Sequence, residues 1–252
     1  MNEKEFLSIK KNFKKIFPQF SEIEVEKTIE ILFDTSNYFD FSELENWYES
    51  QIKNLKVVTN LIDIQDCEGW NLDESSNIQH SSGKFFKIKG VKIYNSENRE
   101  VGTKGWNQPI LIENNLDGGI LGLIRTYING TPHYLIEAKY EPGNFNKIQL
   151  SPTLQATFSN LNMVHGGKRP NYAEYFDDYE KSKNSYIFNQ WLSEDGGRFY
   201  EKRNRGLVKH IAYEEFNEIP ENFVWLSLFQ LRKALKEKTI VNPHLARLIY
   251  LF

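Results

Sequence analysis

Residues 137–157 read EAKYEPGNFNKIQLSPTLQAT, and the polar side chains among them fall at spacings that acid–base chemistry can use. Glu137, Lys139 and Glu141 occupy every second position, which on a strand puts all three on one face. If that face lines a pocket, Lys139 and Glu141 are acid/base candidates; if it faces water, they are ordinary surface charge. Gln149, Gln155 and Thr157, with Gln108 upstream, are neutral hydrogen-bond partners of the kind sugar hydroxyls need. A second stretch, VHGGKRPNYAEY, sets the Gly166-Gly167 backbone beside Lys168 and Arg169. Glycine-rich backbone next to cations is a reasonable anion cradle, and arginine can grip phosphate oxygens with two donors at once. Tyr172 adds a phenol there, and His165 is the one histidine in a glycine-bracketed loop. Arg198, Lys202, Arg203 and Arg205 form another basic cluster around Tyr200. Trp106, directly after Gly105, offers a stacking surface for a base or sugar ring, or simply a core aromatic. Both basic clusters also read plainly as solvated surface or interface.

Bulk properties narrow the chemistry. A net charge of -3 over 252 residues argues against a dedicated nucleic-acid binder but leaves room for a small anionic ligand. His80, His133, His210 and His244 are scattered, so no metal-ligand spacing emerges. There is no P-loop, no Gly-x-Gly-x-x-Gly after a strand and no Gly-x-Ser-x-Gly elbow. Triphosphate hydrolysis and nicotinamide binding therefore lack sequence support. The single cysteine, Cys67, allows no intrachain disulfide and points to a reducing, cytoplasmic setting. The opening MNEKEFLSIKKNF lacks the apolar core of a signal peptide, and no run approaches the roughly 18 apolar residues of a membrane span.

Helices dominate the first 55 residues. Phe6, Ile9, Phe13 and Ile16 recur at helical spacing, Ser21 and Glu24 form a capping box, and Ser42 with Glu45 repeats that signal. From residue 55 the periodicity changes. Residues 85–94, 109–112, 120–128, 133–138 and 147–150 read as strands, with a turn at Asn95–Asn98 and a tight hairpin at Asn129-Gly130. Short helices are expected at 172–181 and around Phe188 and Trp191, and a strand at 207–213. Ser227 with Gln230, and Asn242 before Pro243, start two closing helices. The expected fold is α+β, a mixed and mostly antiparallel sheet flanked by helices. The chain divides into a helical segment over 1–55 and one unit over 56–252.

Several blocks carry the reading further: HSSGKFFKIKGVKI, WNQPIL, the 137–157 segment, VHGGKRP, EDGGRFYEKRNRGLV, FVWLSLFQL and VNPHLARLIYL. Together and in this order they resemble the NDP-hexose 2,3-dehydratase family. That resemblance implies a Nudix-like fold and a substrate of the type dTDP-4-keto-6-deoxy-glucose. It also implies loss of water across carbons 2 and 3 to give a 3,4-diketo sugar for deoxysugar biosynthesis. Well-known members carry two such units, whereas this chain has length for one, so a homodimer is expected. The Nudix metal box is missing, with Ser96 where its first glutamate would fall. Metal-dependent diphosphate hydrolysis is disfavoured, and the chemistry asks for no cofactor. Within this frame Glu141 or His165 is the base, Tyr172 the acid, and Lys139 the partner of the carbon-4 oxygen. Arg169 and Arg198 would hold the diphosphate and Trp106 the thymine. Gln108, Gln149, Gln155 and Thr157 would orient the sugar, with Tyr200 a further substrate contact. The competing expectations are a sugar-nucleotide binder without catalysis, and another lyase or isomerase acting on a 4-keto sugar nucleotide.

Overall fold

A computed structural model describes residues 1–94, 104–113, 117–164 and 166–251. The Asn95–Asn98 turn, Ser96 and His165 lie outside the described residues. Three helices come first, α1 (Glu3–Ile16), α2 (Glu22–Leu32) and α3 (Phe41–Asn54). A small antiparallel meander follows, β1 (Trp70–Leu72), β2 (Ile78–His80), β3 (Lys87–Ile93) and β4 (Trp106–Ile112). The main sheet is built from β5 (Asp117–Ile128), β6 (Thr131–Tyr140), β7 (Ile148–Ser151) and β8 (Leu154–Thr157). After the short α4 (Phe158–Leu161) it continues with β9 (Tyr186–Ser193), β10 (Arg203–His210) and β11 (Phe223–Leu226). Helices α5 (Leu228–Glu237) and α6 (Pro243–Leu251) close the chain. The strand order is β11-β6-β5-β10-β9, with β10 parallel to β5 and the other pairings antiparallel. This is an α+β fold with a mixed, mostly antiparallel sheet.

Local signals placed many of the element ends. Ser21 caps α2 in a capping box with Glu24, and Ser227 does the same for α5 with Gln230. Asn129 and Gly130 take positive φ, 48° and 77°, in the two-residue turn between β5 and β6. Three expectations are corrected. Helix α3 begins one residue before Ser42, because Asp40 accepts from the Ser42 N–H and is the cap. Residues 172–181 form only a single tight turn at Ala173–Phe176. The segment around Phe188 and Trp191 is strand β9 rather than a helix: pairing with β10 along Tyr186–Ser193 decides a short apolar run whose period is ambiguous.

The sheet has a fork. Strands β5 and β6 pair only near their hairpin, then separate, β5 taking β8 as its partner and β6 taking β7. Thr153, between β7 and β8, bridges the split: its Oγ1 donates to Leu135 O at 2.5 Å and accepts from Ile124 N at 2.9 Å. One apolar core lies between the sheet and helices α3, α5 and α6, and a second packs Ala173, Phe176, Phe223 and Trp225 against the opposite face. No helix among the described residues is long and apolar enough to cross a membrane.

The N-terminal helices are tied to this sheet by buried charge. Arg125 Nη2 donates to Glu26 at 2.6 Å and to Glu30 at 3.1 Å, and Tyr134 Oη donates to Glu30 at 2.8 Å. Burial raises both carboxyls, but Arg125 and Lys10 outweigh it at Glu26, which falls below the usual range. The fully enclosed Glu30 stays above that range despite Arg125. Across the hairpin His133 is fully buried, and burial pushes its imidazole down from 6.5 to about 4. Below pH 6.5 the unfolded chain binds a proton that the folded chain refuses until about pH 4. Stability is therefore expected to fall as pH drops through that window, by on the order of 3 kcal/mol. Urea titrations at pH 7 and pH 4 check this, and His133→Gln should flatten the difference.

Candidate active site

The open end of the fork, where β8 and the residues after β6 meet the ends of β9 and β10, forms a cleft of about 340 Å³. Glu141, Gln155 and Thr157 line one side, and Glu194, Lys202, Asn204 and His244 the other. Backbone approach makes the cleft possible. A Cβ at Gly119 would lie 2.1 Å from Ala156 O, and one at Gly118 would lie 2.2 Å from the Lys202 side chain. Glycines at the start of β5 thus let β8 and β10 close in on either side.

Each polar wall has its own wiring. Gln155 Nε2 donates to Glu141 Oε1 at 3.4 Å, while Gln155 Oε1 accepts from Asn242 Nδ2 at 2.8 Å. Opposite, Asn204 Nδ2 donates to Glu194 Oε1, and His244 Nε2 lies 3.8 Å from the same oxygen. Burial lowers the His244 pKa, Glu194 opposing and Arg247 and Lys202 adding to the effect, so the ring is neutral near pH 7. Its Nδ1 is buried without a hydrogen-bond partner. Lys202 Nζ donates to Glu113 at 2.7 Å and sits 4.7 Å above the Phe199 ring. Two carboxylates, an imidazole and an ammonium therefore share one cleft, enough to remove a proton, return one and face a developing oxyanion.

An adjoining cleft of about 450 Å³ shares Glu194, Phe199 and Lys202 and adds Ile110, Tyr200 and Arg203. Strand β4 reaches it through the glycine loop, since Leu111 N donates to Arg198 O and Tyr200 N to Leu111 O, both at 2.9 Å. Gln108 Nε2 donates to Gly197 O at 2.9 Å, and Trp106 Nε1 to Gln108 Oε1 at 2.8 Å. The loop thus draws Trp106, Gln108, Arg198 and Tyr200 into one neighbourhood, Arg198 largely exposed beside Asp195.

Other expected residues are placed apart. Lys139 Nζ is 3.5 Å from Glu137 and lines a different cleft with Gln51, Asn54 and Asn222; Gln149 is its cross-strand partner. Glu137 still senses the site: burial raises its pKa, Lys139 opposes, and Glu141 adds a smaller upward push. Tyr172 packs against Tyr175, Phe216 and Phe223, and burial pushes its phenol up to about 12. Arg169 pairs with Asp177. Neither Tyr172 nor Arg169 lines the Glu141 cleft. The sequence reading did not single out Glu194, Asn204 or His244 for the site. Glu194 and Asn204 stand inside EDGGRFYEKRNRGLV and His244 inside VNPHLARLIYL, but only the fold brings those segments together. Among the described residues no group of three or more His, Cys, Asp or Glu is placed to hold a metal ion.

The family model described as NDP-hexose 2,3-dehydratase matches residues 41–251, which contain every element that lines the cleft. The chain belongs to this family. Over 202 residues, 80% of this chain and 40% of the relative, it is 36% identical to a dTDP-4-dehydro-6-deoxy-alpha-D-glucopyranose 2,3-dehydratase of Saccharopolyspora spinosa. A Streptomyces violaceoruber relative of the same description is 36% identical, covering 71% of this chain and 39% of its own. An Amycolatopsis orientalis relative of that description is 32% identical over 72% of this chain and 38% of its own. This NDP-hexose 2,3-dehydratase family member thus spans about two fifths of the length of the curated relatives it matches. A solved structure of C. elegans Ap4A hydrolase covers 48% of this chain and 85% of its own at 12% identity, and its TM-score of 0.29 carries no weight for the fold.

Proposed function

We propose that this family member removes water across carbons 2 and 3 of dTDP-4-keto-6-deoxy-glucose. The observation that carries the reading is the meeting of Glu141, Glu194, His244 and Lys202 around one cleft within the segment that matches the family. The carbon-4 ketone acidifies the carbon-3 hydrogen, because the electrons left behind spread onto oxygen. Glu141 takes that proton, and the Lys202 ammonium faces the enolate oxygen as charge builds there. His244 takes up a solvent proton when the anionic sugar nucleotide binds, and that proton passes through the Glu194–His244 pair to the carbon-2 hydroxyl as it leaves as water. The enol that remains gains a proton at carbon 2 and becomes the 3,4-diketone. Carbon-bound electrons go to a ketone already on the substrate, so side chains suffice for the proton movements.

The adjoining cleft takes the nucleotide, with Tyr200, Phe199 and Trp106 as ring surfaces and Arg198 and Arg203 near the diphosphate. Gln155, Thr157 and Gln108 are the neutral partners of the sugar. His165 stays a candidate second base. Lys139, Gln149, Tyr172 and Arg169 take no part in this arrangement, because the fold sets them around other clefts and partners. The assembly we propose is a homodimer, a second copy standing where the longer relatives have further chain. Incubation with the sugar nucleotide followed by mass spectrometry tests the reaction: a product lighter by one water is expected. Binding without that loss would leave a sugar-nucleotide binder, and an altered product of unchanged mass would indicate an isomerase.

A further inference from the structure

We infer that Asn242 sets the direction of the Gln155 amide and through it holds Glu141 in its working position, a role that rests on the dehydration reading. Asn242 is 3% exposed, between β7 and the start of α6. The backbone decides which way its own amide faces. Leu245 N–H, in the first turn of α6, needs an acceptor, and Asn242 Oδ1 lies 2.8 Å from it. The Asn242 Nδ2 group therefore points away and donates to Ser151 Oγ and Gln155 Oε1, each at 2.8 Å. Gln155 can only accept on that side, so its Nε2 is turned to Glu141. Donation thus runs one way, from a helix amide to the carboxylate in the cleft. The segment is clamped as well: Leu150 N donates to Ile240 O at 2.7 Å and Asn242 N to Leu150 O at 3.0 Å. Because α6 also carries His244 to Glu194, Asn242 is a positioning residue for both walls of the cleft.

Asn242→Asp separates this role from simple packing. It keeps an acceptor for Leu245 but offers no donor, so Gln155 must reverse and turn its carbonyl oxygen on Glu141. The expected result is a fall in kcat of about thirtyfold, KM within about threefold of the parent, and melting shifted by only a few degrees. Asn242→Ser, which keeps a helix cap but shortens the relay, serves if the buried carboxylate unfolds the chain. Nuclear Overhauser contacts of the Gln155 Nε2 protons, read without ligand, should move from Glu141 in the parent to Asp at 242 in N242D. An amide that does not reverse overturns the inference, and so does a reversed amide with parental turnover. A parent that removes no water would sink the functional reading instead, while the amide contacts would still decide the orientation.

Discussion

Glu141→Gln is expected to slow dehydration by about a thousandfold while leaving affinity for the sugar nucleotide within about threefold. Glutamine preserves the shape of the side chain and the contact with Gln155 but cannot accept a proton from carbon 3. The loss should therefore appear in kcat, because the interaction removed exists only as the proton moves. Glu194 stays across the cleft, held by Asn204 with His244 Nε2 3.8 Å away, and in the proposed reaction it serves the leaving hydroxyl rather than the carbon-3 hydrogen. Steady-state kinetics with calorimetric binding separate the two effects. Turnover near the parent value would remove Glu141 as the base and return attention to His165.

Arg125→Met should cost about 3–5 kcal/mol of stability, the usual penalty for removing one member of a buried ionic group. The apolar side chain fills much of the volume, but it leaves Glu26 and the fully buried Glu30 facing each other without a cation between them. Of these two carboxylates Lys10 pairs with Glu26 and not with Glu30, so Glu30 must protonate or the helix must move away. For a chain of this size the midpoint of thermal unfolding should drop by roughly 10 °C. Adding Glu30→Gln should restore part of the loss, and a strictly additive pair of effects would show that the two residues do not share one network.

The local parts of this structure were legible because their causes are local. The Ser21–Glu24 and Ser227–Gln230 boxes and the Asn129-Gly130 turn each satisfy nearby amides or dihedrals, and each appears where the residues place it. Strand β9 was not legible as a strand, since YIFNQWLS is too short and evenly apolar for its period to decide; β10 alone fixes it. Likewise Arg125, inside the apolar run LGLIRTYI, was not read as a buried charge, because its partners on α2 lie almost a hundred residues away. The cleft follows the same rule. Glu141, Gln155 and Thr157 come from one continuous segment with a readable pattern. Glu194, Asn204 and His244 join them only because β5 and β6 part and α6 folds back over the gap.

The most direct measurement is the mass and deuterium content of dTDP-4-keto-6-deoxy-glucose after incubation with the protein in deuterium oxide. Proton removal at carbon 3 followed by loss of the carbon-2 hydroxyl predicts a product short of one water, with solvent deuterium at carbon 2. A tightly bound but unchanged substrate, with no deuterium at carbon 3, would contradict the account.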